Sequence, residues 1–257
     1  MFYDLSVPYK DGFDVRILTL LSQLGYGTIA LEVNVRGSSS NIRLPTIDLS
    51  RLPRSPQLRI LTRCTLHMED GMEQQLSKAV ESYDIVAVKP LSNVAFVAAC
   101  NSNVVDMISL DTAKQFNLTQ RRVAIRAALS RGIRFEICYA AGMRNVQARI
   151  ALIRYASHLI RFMKGRGILI SSGAQEGCDL RGPYDIINMA LIWGMKASQA
   201  QTALADEPQQ CLSVAYSRRM TYSGAIGFLD TGLQRQNKGD DTASHRERGK
   251  RNISDIS

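Results

Sequence analysis

The residues with which this chain could do chemistry are three histidines (His67, His158 and His245), five cysteines (Cys64, Cys100, Cys138, Cys178 and Cys211) and 24 arginines. The histidines lie far apart and no two share a metal-ligand spacing. His245 falls in a polar tail, and His67, following a β-rich run, reads as a satisfied surface histidine sooner than as a ligand. The cysteines are odd in number and form no C-x-x-C pair, which argues against a zinc ribbon or a disulfide framework. Cys100 and Cys138 sit in apolar runs as small hydrophobes, as expected in a reducing compartment. No G-x-S-x-G elbow occurs, and Gly25-Tyr26-Gly27 sits between helix and strand, the wrong order for a phosphate-binding loop. Glu69–Asp70 reads as a solvated turn and Asp206–Glu207 as a helix N-terminus. No self-contained catalytic site and no metal site are expected from this set.

The arginines carry a different message. Lys and Arg total 32 against 23 Asp and Glu, a net of +9, and 24 of those bases are Arg. Guanidinium groups suit bidentate phosphate contacts. Between Arg121 and Arg166 there are eleven bases and one acid, Glu136, so this segment alone exceeds the charge of the whole chain. Arg154, His158 and Arg161 fall at i, i+4 and i+7 of a long helix, on one face. Its apolar set, Val146, Ile150, Ile153, Leu159, Ile160 and Met163, is expected largely elsewhere. A face of one sign repels itself unless a polyanion or an acidic partner screens it. RNA or DNA phosphate is one such partner and an acidic protein surface is the other. A second cluster, Arg36, Arg43, Arg51, Arg54, Arg59 and Arg63, faces only Asp48.

These residues must be carried by a fold that 257 residues can build as one or two domains. Hydrophobic residues at 45% and charged residues at 21% exclude a collagen, a wholly disordered chain or a low-complexity chain. No run approaches 18 uncharged apolar residues, so no membrane helix is expected, and the N-terminus lacks the pattern of a signal peptide. Strand signals at 2–5, 28–35, 58–66, 84–90, 104–111, 134–140 and 167–172 alternate with helical ones at 14–24, 73–82, 94–101, 121–131 and 145–164. Two or three further helices are expected from 183 to 219. About seven strands joined by helical or loop crossovers imply parallel βα units, in an open sheet or a closed barrel. Residues 36–58 form a basic loop rich in Ser, Pro and Arg. A single domain over 1–230 is expected, followed by a disordered polar tail over 231–257.

The last signature is Leu180–Met195, LRGPYDIINMALIWGM. Pro183 after Gly182 starts a helix, and Asp185 suits its positive end. Arg181 either pairs with Asp185 or aims at phosphate. This stretch, with ISSGA at Ile170–Ala174 and the upstream RILTR (Arg59–Arg63), YDIVAVKP (Tyr83–Pro90) and FEICYA (Phe135–Ala140), resembles the thirty-kilodalton-class protein subunit of ribonuclease P. The resemblance covers roughly Phe2 to Arg219. The loop and tail lie outside it and look eukaryotic rather than archaeal.

The resemblance implies a TIM-barrel-like α/β fold related to polymerase-and-histidinol-phosphatase (PHP) domains. Those phosphoesterases carry a His-x-His pair on the first strand, where YDLSVP here offers Ser6 and Pro8. The resemblance further implies a subunit that is no enzyme by itself and binds no cofactor, Mg being expected on the RNA. Its implied partners are the ribonuclease P and ribonuclease MRP RNAs, precursor tRNA and other protein subunits, a small ferredoxin-like one among them, and no membrane. Precursor tRNA and rRNA processing and a nuclear, nucleolar location follow from the same resemblance. RNA-binding candidates are Arg63, Arg121, Arg122, Arg126, Arg144, Arg154, Arg161 and Arg181. Two alternatives stand beside this reading. One is a diverged PHP-like phosphoesterase, with Asp4, His67, Glu136 and Asp179 as its candidate ligands. The other is a protein–protein scaffold whose arginines meet acidic subunits.

Overall fold

Each strand signal in the sequence becomes a strand of one parallel sheet in the computed structural model, which describes residues 1–36, 44–53, 56–70, 73–110 and 118–220. The strands are β1 (Phe2–Pro8), β2 (Tyr26–Val35), β3 (Arg59–Met68), β4 (Ile85–Pro90), β5 (Met107–Ser109), β6 (Arg134–Cys138) and β7 (Ile168–Ser171). They pair in chain order, each parallel to the next. Between and after them run α1 (Arg16–Gln23), α2 (Glu73–Ser82), α3 (Asn93–Asn101), α4 (Arg122–Ser130), α5 (Ala141–Arg144), α6 (Val146–Met163), α7 (Pro183–Ile192), α8 (Ala197–Leu204) and α9 (Asp206–Met220). Sequential order with helical crossovers curls the sheet toward closure, as in a TIM-like barrel. The expected tail from 231 lies outside the described residues, as do 37–43 and 54–55 of the basic loop. The described part of that loop is anchored: Leu52 and Leu58 are buried, and the Tyr83 hydroxyl donates to the Pro45 carbonyl.

Local chemistry explains where the elements begin and end. Asn145 accepts from the backbone N–H groups of Gln147 and Ala148, so the long helix starts there, and α5 is a separate turn before it. Ser92 caps α3 through the Ala95 N–H. Gly25 ends α1 at φ +94°, a conformation open to glycine. β5 is shorter than the apolar run 104–111 suggests. Asp106, just before it, donates its N–H to the Val86 carbonyl (2.9 Å) while its carboxylate accepts from the Val86 N–H (2.8 Å).

Apolar residues divide between two sides of the sheet. The larger core lies between sheet and helices and includes Val7, Leu31, Leu66, Phe96, Phe135, Ile170 and Trp193. A smaller core fills one end of the barrel interior. Tyr3, Leu5, Ala30, Leu61, Ile85, Ala87, Met107 and Leu169 meet Cys211 and Leu212 of α9 there. α9 is tied to the starts of the strands, which fixes it under the N-terminal end. Glu207 accepts from Arg134 (2.5 Å) and from the Gly167 N–H (2.8 Å), Arg219 pairs with Asp84 (3.0 Å), and Arg218 lies 2.8 Å from Asp106.

Between β1 and β7, side chains and loop backbone make the junction. Asp4 Oδ1 accepts from the N–H groups of Ser172 (2.9 Å) and Ser6 (3.2 Å). The Gly173 N–H donates to the Ser6 carbonyl (2.8 Å), and the Ser172 hydroxyl donates to the same oxygen (3.1 Å). Gly173 holds φ +62°, and a Cβ there would sit 3.2 Å from that of Cys138, so a side chain would crowd the clasp. Burial of Asp4 pushes its carboxyl up to about 6, against the lowering effect of its hydrogen bonds.

A carboxyl raised on folding makes its contribution below its unfolded pKa and loses it as pH rises through the folded value. The stability of the wild type relative to Asp4→Asn therefore falls between about pH 4 and pH 6 and is flat above. The change is on the order of 2–3 kcal/mol. Denaturant melts of both proteins across that range measure it, and a difference independent of pH would contradict the assignment.

Candidate functional site

Side chains that alternate toward the barrel axis set up three layers. Above the apolar floor lies an ionic layer built on Arg63, whose side chain has no exposed surface. Its Nη1 and Nη2 donate to Glu136 Oε1 and Oε2, both at 2.6 Å. Nη1 also reaches the Leu5 carbonyl (2.7 Å), Nε reaches Thr65 Oγ1 (2.9 Å), and Glu32 lies 3.5 Å from Nη2. The Ser6 hydroxyl donates to Glu32 (2.5 Å). Burial alone would lower the Arg63 pKa and raise that of Glu136. Their mutual attraction wins, so the guanidinium is held charged and the carboxyl is held below its usual range. Burial and Glu136 together push the neighbouring Cys138 thiol well up.

Above this layer, at the C-terminal ends of the strands, the barrel opens into a cavity of about 530 Å³. Strand ends all around the sheet line it, among them Ser6, Asn34, His67, Lys89, Cys138 and Gly173. His67 is buried on β3, and its Nε2 lies 3.0 Å from Asn34 Oδ1, so the expectation of a surface histidine is corrected. β3 runs two residues further than the β-rich pattern suggested and carries His67 inward.

The outside of the barrel is basic over α4 and α6. Arg122 and Arg126 on α4, and Arg154, His158 and Arg161 on α6, are exposed. The Arg122 guanidinium carbon stands 5.6 Å from the centroid of the Phe162 ring, which joins the two helices into one surface. Neither helix carries an acid. Of the apolar set, Ile153, Leu159, Ile160 and Met163 lie elsewhere, against the core, as expected, while Val146 and Ile150 are exposed on this side. The buried side of α6 is made by Leu152, Ala156, Leu159, Ile160 and Met163.

The predicted arginines therefore separate. Arg122, Arg126, Arg154 and Arg161 come together on the outer face. Arg121 is half-buried beside them. Arg63 is corrected: it is sealed in the barrel, where no nucleic acid reaches it. Arg144 is spent on Glu176 and Asp179, both at 2.7 Å. Arg181 pairs with no acid among the described residues, against the expected Asp185 alternative. It donates to the carbonyls of Cys178 (2.8 Å) and Leu180 (2.7 Å). Part of the 121–166 charge is likewise structural. Arg149 donates to Gly142 and Met143 carbonyls, Arg131 to the Cys100 carbonyl, and Arg134 to Glu207.

The residues needed by the phosphoesterase alternative are dispersed. Asp4 serves the clasp, Glu136 serves Arg63, Asp179 serves Arg144, and His67 is bonded to Asn34. Among the described residues no three His, Cys, Asp or Glu side chains gather as a metal site. The inward charges, Glu32, Arg63, Lys89 and Glu136, were legible as a pattern that residue types alone conceal. The first three share strand parity with small or apolar residues: Ala30 with Glu32, Leu61 with Arg63, Ala87 with Lys89.

A family model described as RNase P subunit p30 matches residues 1–220. The chain is 31% identical over 232 residues to "Probable ribonuclease P protein subunit 3" of Schizosaccharomyces pombe, covering 88% of this chain and 98% of that one. It is 28% identical over 248 residues to "Ribonuclease P protein subunit p30" of Mus musculus, covering 90% of each. It is 29% identical over 265 residues to "Protein GAMETOPHYTE DEFECTIVE 1" of Arabidopsis thaliana, covering 88% of this chain and 46% of that longer one. In fold it matches a chain of an archaeal ribonuclease P solved with mature tRNA. The TM-score is 0.65 at 13% identity, over 90% of this chain and 99% of that one.

Removing one partner of the buried ion pair leaves a bare charge in the barrel. Arg63→Met and Glu136→Gln are each expected to destabilise the fold, the first by about 3–5 kcal/mol. The double substitution recovers a substantial part of that loss. Urea melts of the three variants check this, and an Arg63→Met cost below about 1 kcal/mol would contradict it.

Proposed function

Because the chain belongs to the RNase P subunit p30 family, we propose that it is a protein subunit of the ribonuclease P ribonucleoprotein, holding RNA by the outer face of α4 and α6. Catalysis in that assembly belongs to the RNA, with its Mg, and the protein is no nuclease by itself. The observation that carries the RNA-binding role is the exposed set Arg122, Arg126, Arg154 and Arg161 on two helices without a single acid. Close-spaced guanidinium groups lower the cost of packing phosphates and release counterions when they bind. An A-form or folded RNA is read there by shape and backbone, as a helical face without a groove-reading element would do.

The finer assignments rest on the relatives. A Saccharomyces cerevisiae relative, 27% identical over 227 residues, is named as a subunit of ribonuclease P and MRP. This supports a role in both particles, in precursor tRNA and precursor rRNA processing. Relatives among fungi, plants and animals support a nuclear, and by extension nucleolar, place of work. Other protein subunits, including a small ferredoxin-like one, are the proposed protein partners. α7 presents Tyr184 and Ile192 at 73% and 74% exposure, an apolar surface suited to such contacts.

Arg154→Gln/Arg161→Gln keeps two long side chains on α6, so the fold should be unaffected. If both arginines meet phosphate, the slope of log K against log salt for the particle RNA becomes shallower by roughly 1.4 to 1.8. A filter-binding salt series on wild type and double variant reads this. An unchanged slope, with assembly onto an acidic protein partner weakened, would move this face to a protein interface.

A further inference from the structure

We propose that the mouth of the barrel is a second, separate binding site, for a phosphate monoester. The inference does not rest on the RNA-binding role of α4 and α6. It stands on the cavity at the C-terminal ends of the strands and on the charges that reach it. Three cations line the cavity, Lys10, Arg36 and Lys89, with His67 among them; Glu32 is the only acid among the described residues that line it. Glu32 is already engaged, by the Ser6 hydroxyl and by Arg63 below. Arg36 and Lys89 are paired with no carboxylate among the described residues, and Lys10 has only a long bond of 3.5 Å to the Gln175 amide.

Strand register brings these cations together. Lys89 is registered with His67 across β3 and β4. Arg36 follows directly on Val35, which is registered with Leu66, so it stands beside His67 on the other side. Neighbouring strands lie about 4.8 Å apart, which puts the backbones of Arg36 and Lys89 on the order of 10 Å from each other across one histidine. Long side chains from both can close on one tetrahedral anion at that span. Glu32, Arg63 and Lys89 share an inward parity that most barrel interiors fill with apolar or small residues. A positive ring over a partly neutralised ionic layer, with low-dielectric walls, concentrates its field on the mouth. The Gly173 N–H and the inward hydroxyls serve the clasp and the ionic layer, so selectivity at the rim rests on charge. The cavity volume falls in the range of small-ligand sites, large enough for a nucleoside carrying its phosphate.

A monophosphate of this kind exists free, as a mononucleotide, or as the phosphorylated 5′ end of an RNA. Calorimetric titration of the full-length protein at low salt separates them. The ligands are uridine 5′-monophosphate, uridine, and one tetranucleotide in 5′-phosphorylated and 5′-hydroxyl forms. Saturable binding of uridine 5′-monophosphate but not uridine is expected. Lys89→Gln and Arg36→Gln should each weaken it roughly tenfold, or about 1.4 kcal/mol. Arg36 is exposed, so its variant guards against loss of fold, which thermal melts of both variants monitor. If the 5′-phosphorylated tetranucleotide binds more tightly than the mononucleotide, the site takes RNA ends; if less tightly, it takes the free nucleotide. Three results would overturn the proposal. One is that neither phosphate ligand saturates at roughly millimolar concentration. Another is that the 5′-hydroxyl tetranucleotide binds as well as the phosphorylated one. The third is that neither mouth variant changes affinity while Arg154→Gln/Arg161→Gln abolishes it.

Discussion

A guanidinium with no exposed surface sits at the centre of this barrel. Arg63 makes two parallel hydrogen bonds to Glu136, from β3 to β6, with Leu5, Thr65 and Glu32 taking its remaining reach. A charge in that position is tolerable only with its partners in place. It follows that β1, β2, β3 and β6 cannot shift register independently, because each supplies one of those partners. The ionic layer separates a floor sealed by α9 from a mouth open to solvent. The protein therefore has an inside that is structural at one end and polar at the other.

That division changes how the arginines are understood. Composition treats all of them as candidates for a polyanion, and local charge density makes 121–166 look like one continuous patch. The fold spends many of them internally, on Glu136, Glu207, Glu176, Asp179 and on backbone carbonyls that helix ends and turns leave unpaired. Of the 121–166 set, what remains outward is narrower and gathers chiefly on one face of two adjacent helices.

Much of the architecture was legible in the sequence because its signals are local. Helix α2 matches its expected span, Pro183 opens α7 as its chemistry requires, and the strands fall where apolar runs stand between helical patterns. Strand alternation could not choose between barrel and open sheet, since closure depends on Asp4 meeting Ser172, a contact across 168 positions. The site was less legible for the same reason. The destiny of Arg63 depends on Glu136, 73 residues away, and nothing near Arg63 announces that partner. Lys89 was hidden in a strand whose buried character suggests apolar neighbours only, and Arg36, counted with a basic loop, follows directly on the inward-facing β2. Inward parity, read jointly across several strands, is the signal that would have found them.

The clasp between β1 and β7 also dictates an order of events. Every other strand pairing joins consecutive βα units, so the sheet can lengthen edge by edge as the chain leaves the ribosome. The final junction is of another kind, linking the first strand made to residues that follow the last. Until Ser172 and Gly173 have emerged, β1 presents a bare edge and Asp4 carries a charge that nothing receives. The nascent barrel must keep that edge unpaired through most of its own synthesis. Its last junction is thus a ring closure, with an entropy cost set by the whole length of the domain.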